Sequence, residues 1–439
     1  AHIAAEMQRQ GFTIPLLIGG ATTSRAHTAV KIDPAYEGPV VWVKDASRAV
    51  GVAQNLISTS EGTKENYVAA LKAEYAEVRE RHLKKRAETK LVPLADAREQ
   101  RIAIDWAHYA PPRPAIIDTA VELDEASTGP VSVERRGAGA IVTFKDIPLA
   151  TLVDYLDWTF FFHAWEMRGS YPKILDDTEK GEEARKLFED GREMLARLID
   201  GKWLRAKAVV GLFPAATVGH DDIELYADEA RGERLSAFHF LRQQSEKRPG
   251  EYHKCLADYT APREASGEDW LGGFACTAGL GIDEKVAEFE ADHDDYQAIM
   301  LKALADRLAE ACAEWLHERV RREIWAYAPD ESLDNTALIK ERYAGIRPAL
   351  GYPACPDHTE KDTLWSLLDV QARTGLWLTE HKAMVPTAAV SGLYFSYPEA
   401  AYFNVGKLGR DQVEDYAKRK GMTLAEAERW LAPNLGYEP

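Results

Sequence analysis

Cysteine is scarce in this chain. The four that occur, Cys255, Cys276, Cys312 and Cys355, lie far apart and form no Cys-x-x-Cys pair. A disulfide framework and a zinc knuckle are therefore not expected, and a reducing, cytoplasmic setting fits best. Positive charge is also in deficit: 54 Lys and Arg against 71 Asp and Glu give a net charge of −17. Nucleic-acid binding needs phosphates neutralised by Lys and Arg, so no nucleic-acid partner is expected. No apolar run reaches transmembrane length and no signal peptide is evident, so no membrane partner is expected. Gly-x-Ser-x-Gly elbows, His-Glu-x-x-His helices and Walker loops are missing as well.

What remains is a globular composition, 46% hydrophobic and 28% charged, on 439 residues. That length exceeds one ordinary core, so two or three domains are expected. Ala1 falls inside a run that reads as a helix, "AHIAAEMQRQG", and the chain is taken as a piece of something longer. Residues 1–58 read as alternating helices and short apolar strands, "TIPLLIGG" and "GPVVWVKD". Such near-continuous apolar runs suit buried parallel strands, so this part reads as the end of a doubly wound α/β domain. Residues 59–98 form a charged helical linker with Tyr67, Leu71, Tyr75 and Val78 on one stripe. Residues 99–439 read as an α+β domain with a mainly antiparallel sheet. Its strand candidates are "AVVGLFPA", "DIELYAD", "CLADYTA", "GGFACTA" and "SGLYFS", joined by turns more than by crossover helices. One long helix is expected over about 287–326, with a buried stripe from Tyr296 to Leu316. Thr423 with Glu426 forms a capping box for the last helix, and Pro433 follows it.

Several constellations carry polar groups. Gly19-Gly20-Ala21-Thr22 follows a strand and precedes a helix; it suits close backbone approach to an anion, or simply a tight turn. "DYLDWTFFFHAWEMRGSYPKIL" surrounds Asp157 with aromatics, so Asp157 is either an N-cap or a carboxylate facing a cationic ligand. Asp306 and Glu310 lie one helical turn apart, close to Arg307. "RPALGYPACPDHTEK" at 347–361 is a proline-stiffened loop that holds Arg347, Tyr352, Cys355 and His358. Cys355 and His358 lack two further ligands at recognisable spacing, so no metal site is expected.

Longer stretches resemble a known family. "GFTIPLLIGGATTSRAHTAVKI", "KDASRAVGVAQNLIS", "VVGLFPA", "ADHDDYQAIMLKALADRLAEACAEWLHERVR", "GIRPALGYPACPDHTEK" and "GRDQVEDYAKRKGMTLAEAERWLAPNLGY" resemble the C-terminal part of the cobalamin-dependent methionine synthases. The resemblance covers nearly the whole chain. It implies that residues 1–58 are the end of a Rossmann-like cobalamin-binding domain and that 99–439 are an activation domain that binds S-adenosylmethionine. The implied role is reductive methylation of inactive cob(II)alamin with S-adenosylmethionine as methyl donor. In this chemistry the nucleophile and electrophile both belong to cofactors, so no catalytic side chain is expected.

Carried over residue by residue, the resemblance puts Asp157, Arg347, Ala349, Gly351, Tyr352, Tyr402 and Phe403 at the S-adenosylmethionine site. Arg347 is implied as partner of the ligand carboxylate, and Glu310 as partner of its ammonium group. Gly19, Gly20 and Ala46 match residues around the nucleotide tail of cobalamin. Implied partners are the upstream homocysteine, folate and cobalamin modules, plus a flavodoxin or a reductase-like electron donor. Because those modules precede residue 1 in the family, this chain alone is not expected to make methionine, and its cobalamin site is partial. Phe160 and Leu350 stand where relatives often carry Pro, and Tyr397 replaces a frequent His. The stretch 115–150 looks longer than in relatives and reads as an extra hairpin. Two other readings compete. One is a docking module for the cobalamin domain and a flavodoxin-like donor, without cofactor chemistry of its own. The other, an independent methyltransferase, lacks a glycine-rich loop on a full Rossmann unit.

Overall fold

The computed structural model describes residues 2–19, 24–43, 46–58, 62–88, 90–119, 121–265 and 268–439, with backbone only at 2, 46–51 and 82–88. The chain divides into two compact units, Ala1–Lys90 and Leu91–Pro439.

In the smaller unit β1 (Leu16–Ile18) pairs in parallel with β2 (Val40–Trp42), Leu16 opposite Val40. Two parallel strands are what the apolar runs predicted; a complete doubly wound sheet is not present among the described residues. Ala4, Ile32, Tyr36 and Val40 pack on one side. Val41, Val43 and Leu56 pack on the other, against Tyr67, Val68 and Leu71 of the helix Thr63–Glu88. Lower on that helix, the Tyr75 hydroxyl accepts from the Trp42 N–H at 2.9 Å. The helix read as a linker is thus packed into this unit. The next helix, Leu94–Glu99, belongs to the larger one.

The larger unit is built on an antiparallel sheet, seven-stranded among the described residues. Its strands are β3 (Val131–Arg136), β4 (Gly139–Ile147), β5 (Arg205–Val218), β6 (Asp222–Tyr226), β7 (Arg234–His239), β8 (Asp269–Leu280) and β11 (Ala389–Tyr394). The main path runs β11-β8-β5-β4-β3, with β6 and β7 continuing from β5. A separate antiparallel pair, β9 (Trp377–Leu378) and β10 (Met384–Val385), precedes β11. Side chains alternate across a strand, and here both faces are covered. One face packs on the helices Gly181–Asp200 and Asp295–Arg319, where Phe144 meets Trp315 edge-on at 5.3 Å. The other packs on the helix Glu360–Leu368 and the 3-10 turn Leu256–Tyr259. A third, smaller core joins the last two helices, and the capping box of Thr423 and Glu426 starts the final one.

Four expectations need correction. "CLADYTA" is not a strand: the Cys255 N–H donates to Asp258 Oδ2 at 2.9 Å, and this capping box bends 256–259 into a 3-10 turn. The long helix is two, Ile282–Ala291 and Asp295–Arg319, the second continuing as a wider turn, Val320–Ile324. His293 has φ 59, and Asp294 starts the second helix by accepting from the Gln297 N–H. Tyr296, placed on the buried stripe, is 40% exposed and lies against Trp165. The hairpin within 115–150 is not peripheral, because β4 pairs with β5 from Ala140 to Ile147.

A buried charge network ties chain ends to the sheet. Arg242, fully buried, pairs with Asp221 at 2.8 Å and Asp258 at 2.7 Å. Arg98 bridges Asp221 and Asp415, which ties the segment after Lys90 to the helix Arg410–Lys420.

Candidate functional site

The loop after Gly345 runs along the outer edge of β11. Ile346 bridges Phe395, Ala349 bridges Gly392, and the Leu393 N–H donates to Pro348 O at 3.0 Å. Only glycine fits at 392, since a Cβ there would sit 2.5 Å from Pro348 O. Gly351 has φ +90, and a Cβ on it would sit 2.3 Å from His358 Nδ1. Tyr352-Pro353-Ala354-Cys355 then closes a turn, with the Cys355 N–H on Tyr352 O and the Gly351 N–H on Cys355 O. Leu350 is buried in the second core and anchors the loop there. Cys355 is buried, and His358 Nδ1 lies 3.0 Å from Lys361 Nζ; no group of potential metal ligands forms among the described residues.

Arg347 opens this loop and lies between three side chains. Its Nη1 is 2.8 Å from Glu314 Oε2, 3.3 Å from His317 Nδ1 and 3.4 Å from the Tyr343 hydroxyl. Its backbone N–H donates to the Tyr402 hydroxyl at 3.0 Å. Nε and Nη2 find no protein acceptor among the described residues, so one edge of the guanidinium stays open. His317 is fully buried, and burial together with Arg321 and Arg347 holds its pKa well below the usual value. It is therefore neutral, with Nδ1 as acceptor toward Arg347 and Nε2 facing the Tyr327 hydroxyl at 3.3 Å. The sequence reading missed Glu314 and His317. The signal was present, because Glu310, Glu314 and His317 fall on one face of the helix Asp295–Arg319 at helical spacing.

Two cavities open beside Arg347. One, of about 310 Å³, is lined by Glu310, Arg347, Ala349, Tyr352, Tyr402 and Phe403 among others. The second, of about 520 Å³, holds Asp157, Phe160, Arg307, Glu310 and Arg347. Glu310, Glu341, Arg347 and Tyr352 line both. The structure thus brings together the carried-over residues of the larger unit. Gly351 lines neither cavity, and Asp157 lines the second alone. Asp157 is also the N-cap of Trp158–Ala164, accepting from the Thr159 N–H at 2.8 Å through Oδ1. The N-cap reading of this carboxylate is thus observed, and Asp157 also lines the second cavity. Phe160 is 55% exposed and lies under the Arg307 guanidinium at 5.5 Å. Asp306 does not line either cavity; burial raises its pKa.

Glu341 is an unforeseen member. It is not glycine, yet it has φ 52, two residues past the short helix Asn335–Ile339. Burial raises its carboxyl pKa against the pull of Arg347. Acids outnumber bases around Arg307 and Arg347, which suits a ligand with a carboxylate for the open guanidinium edge and a cationic remainder.

Of the residues assigned to cobalamin, Gly19 lies just past β1, where a Cβ would meet Val43 O at an ordinary 3.5 Å. Gly20 lies outside the described residues. Ala46 begins the helix Ala46–Ile57 and is described by its backbone alone.

The larger unit is an α+β domain whose candidate site is defined by charge and shape, with Arg347, Asp157, Glu310, Glu314 and Glu341 around its two cavities. The model of the family described as vitamin B12 dependent methionine synthase, activation domain, matches residues 148–421, and the chain belongs to that family. It is also similar to a solved structure described as the MetH reactivation domain bound to AdoHcy. Identity is 50%, the TM-score is 0.73, and the match covers 80% of this chain and all of that one.

Proposed function

We propose that the larger unit binds S-adenosylmethionine beside the β11 edge and presents its methyl group for reductive methylation of oxidised cobalamin. It is read as the reactivation module of a cobalamin-dependent methionine synthase. The observation that carries this reading is Arg347: a rigidly held guanidinium with an open edge, next to the unpaired carboxylate of Glu310. It is supported by the half-identical reactivation domain, whose own ligand is AdoHcy. In this reading Arg347 takes the ligand carboxylate and Glu310 the ammonium group. The open oxygen of Asp157 faces the same ligand. Backbone at Ala349 and Gly351, with Tyr352, Tyr402 and Phe403, shapes the walls. The protein supplies position and field, and no side chain changes its bonding.

Residues 1–58 are read as the end of a cobalamin-binding domain. Gly19 stands at the carboxyl end of a parallel strand, where open α/β sheets take ligands. Cobalamin, when bound, supplies the centre that accepts the methyl group. A flavodoxin-like donor for the electron and the homocysteine and folate modules are the partners this role calls for, in a cytoplasmic setting.

Calorimetric titration of the chain with S-adenosylmethionine tests the reading, and saturable one-to-one binding is expected. No heat and no thermal stabilisation at millimolar ligand would refute it in favour of a docking module without cofactor chemistry.

A further inference from the structure

His317 lines neither cavity, yet its surroundings aim it at the group that lines both. It lies about one turn past Glu314 on the helix Asp295–Arg319 and is 0% exposed. Its ring lies nearly flat on Tyr394 of β11, with centroids 5.1 Å and planes 18° apart. Tyr394 in turn stacks on Phe274 of β8 at 4.5 Å. Tyr343 meets the imidazole edge-on at 4.7 Å. These rings hold the imidazole in one orientation, and its two nitrogens face different groups. Nε2 faces the Tyr327 hydroxyl at 3.3 Å, and Nδ1 faces Arg347 Nη1 at 3.3 Å.

A guanidinium can only donate, so Nδ1 is the accepting nitrogen and Nε2 carries the proton. Burial beside Arg321 and Arg347 keeps the ring from taking a second one. An apolar side chain would pack here with no polar group to satisfy. What the imidazole adds is an acceptor aimed at Arg347.

The planar shape of the guanidinium makes that acceptor matter. Its N–H bonds lie in one plane, in a fixed fork. A single acceptor on Nη1 would let the group swing about that bond. Two acceptors on the same nitrogen, Glu314 Oε2 at 2.8 Å and His317 Nδ1 at 3.3 Å, set both the plane and the edge that faces away. On that edge the Nε–H and one Nη2–H run parallel, which is the pair a carboxylate accepts in a bidentate bond. The second acceptor is neutral, so it directs the guanidinium without offsetting the charge that a ligand carboxylate would meet.

We propose that His317 is a positioning residue for ligand binding: with Glu314 it takes both Nη1 hydrogens of Arg347 and so turns the Nε–Nη2 edge toward the cavities. This rests on the reading of Arg347 as partner of the S-adenosylmethionine carboxylate. Glu314 supplies the opposite charge, and His317 supplies the direction.

Two substitutions of one shape test it. Asparagine places an acceptor where Nδ1 stands, and leucine fills the same branched outline without one. Both are titrated calorimetrically with S-adenosylmethionine as the full chain. His317→Asn should bind within about threefold of wild type and His317→Leu about tenfold or more weaker, the loss of one hydrogen bond to a charged group. Thermal melts without ligand should rank the two variants the other way, because the buried leucine has no polar group to satisfy. A merely structural histidine would make affinity follow stability. Equal affinities of the two variants, or affinities in the order of their stabilities, would overturn the positioning role alone. A second measurement needs no variant. Nitrogen NMR of the wild-type histidine rings, with His317 assigned through its contacts with Tyr343 and Tyr394, should show Nε2 protonated and Nδ1 bare. A proton on Nδ1 would also overturn the role. Failure of wild type to bind S-adenosylmethionine overturns the function proposed above and the positioning role with it.

Discussion

Arg347→Ala separates what the guanidinium does for the fold from what it does for the ligand. Its side chain is 17% exposed and that of its partner Glu314 11%, at 2.8 Å. Removing the arginine leaves the Glu314 carboxylate with Arg321 Nη1 at 4.0 Å as the remaining cation. Breaking a fully buried pair costs about 3–5 kcal/mol, and the residual exposure here places the loss at roughly 2–3 kcal/mol. For the ligand, truncating one member of a desolvated, hydrogen-bonded charge pair costs about 2–5 kcal/mol. In affinity that is roughly 30-fold to several thousandfold. The double variant Arg347→Ala with Glu314→Gln discriminates. Neutralising the orphaned carboxylate restores much of the stability but none of the affinity. The assays are calorimetric titration with S-adenosylmethionine and denaturant unfolding of the same preparations. Binding by Arg347→Ala within about threefold of wild type would refute the assignment. So would a double variant whose affinity recovers along with its stability.

Three further outcomes follow from the geometry. Asp157→Asn keeps an oxygen to cap Trp158–Ala164, so the melting temperature stays near wild type while S-adenosylmethionine affinity falls. Asp157→Ala adds a capping loss of about 1 kcal/mol; equal affinity for wild type and the Asn variant would remove Asp157 from the site. Gly351→Ala meets His358 Nδ1 at 2.3 Å on a backbone of φ +90 and should cost more than about 1 kcal/mol. Gly219→Ala, also at positive φ but in open space, should cost less in the same thermal melts. Asp269 is fully buried in β8, and burial pushes its carboxyl from 3.8 to about 7, against two backbone N–H bonds from Ala261 and Trp270. The folded form then holds its proton more tightly than the unfolded chain. The stability it contributes is fully present below the unfolded value and is lost as pH rises toward 7. Wild-type stability relative to Asp269→Asn should therefore decline between about pH 4 and pH 7; a difference that stays flat or rises would show the carboxyl to be ionised in the fold.

Local patterns carried much of this fold. β5, β6, β8 and β11 stood out as apolar runs between turns, and Thr423 with Glu426 announced the last helix. "CLADYTA" misled because its apolar residues suit a strand, while Asp258 reaches back to the Cys255 N–H and curls the segment. β7, "RLSAFH", was missed because Arg234, Ser236 and His239 interrupt its apolar pattern and only Phe238 is fully buried. The hairpin of β3 and β4 was legible, but its interior place was not: that depends on β5, far along the chain. The site followed the same division. Loop stiffness, Arg347 and Tyr352 could be read from prolines and residue chemistry. The pairing of Arg347 with Glu314 and the neutral state of His317 depend on two elements meeting in space.

The position of the Arg347 loop also bears on solubility. β11 ends the main path of the sheet, and a bare edge strand offers unpaired N–H and C=O groups to any other extended chain. Ile346, Pro348 and Ala349 lie along part of that edge, and Pro348 has no N–H of its own to offer outward. The segment proposed to line the ligand site is therefore also a guard against edge-to-edge association. Substitutions that loosen it would carry a risk of self-association as well as weaker binding, and a ligand that clamps it would act as an anti-aggregant.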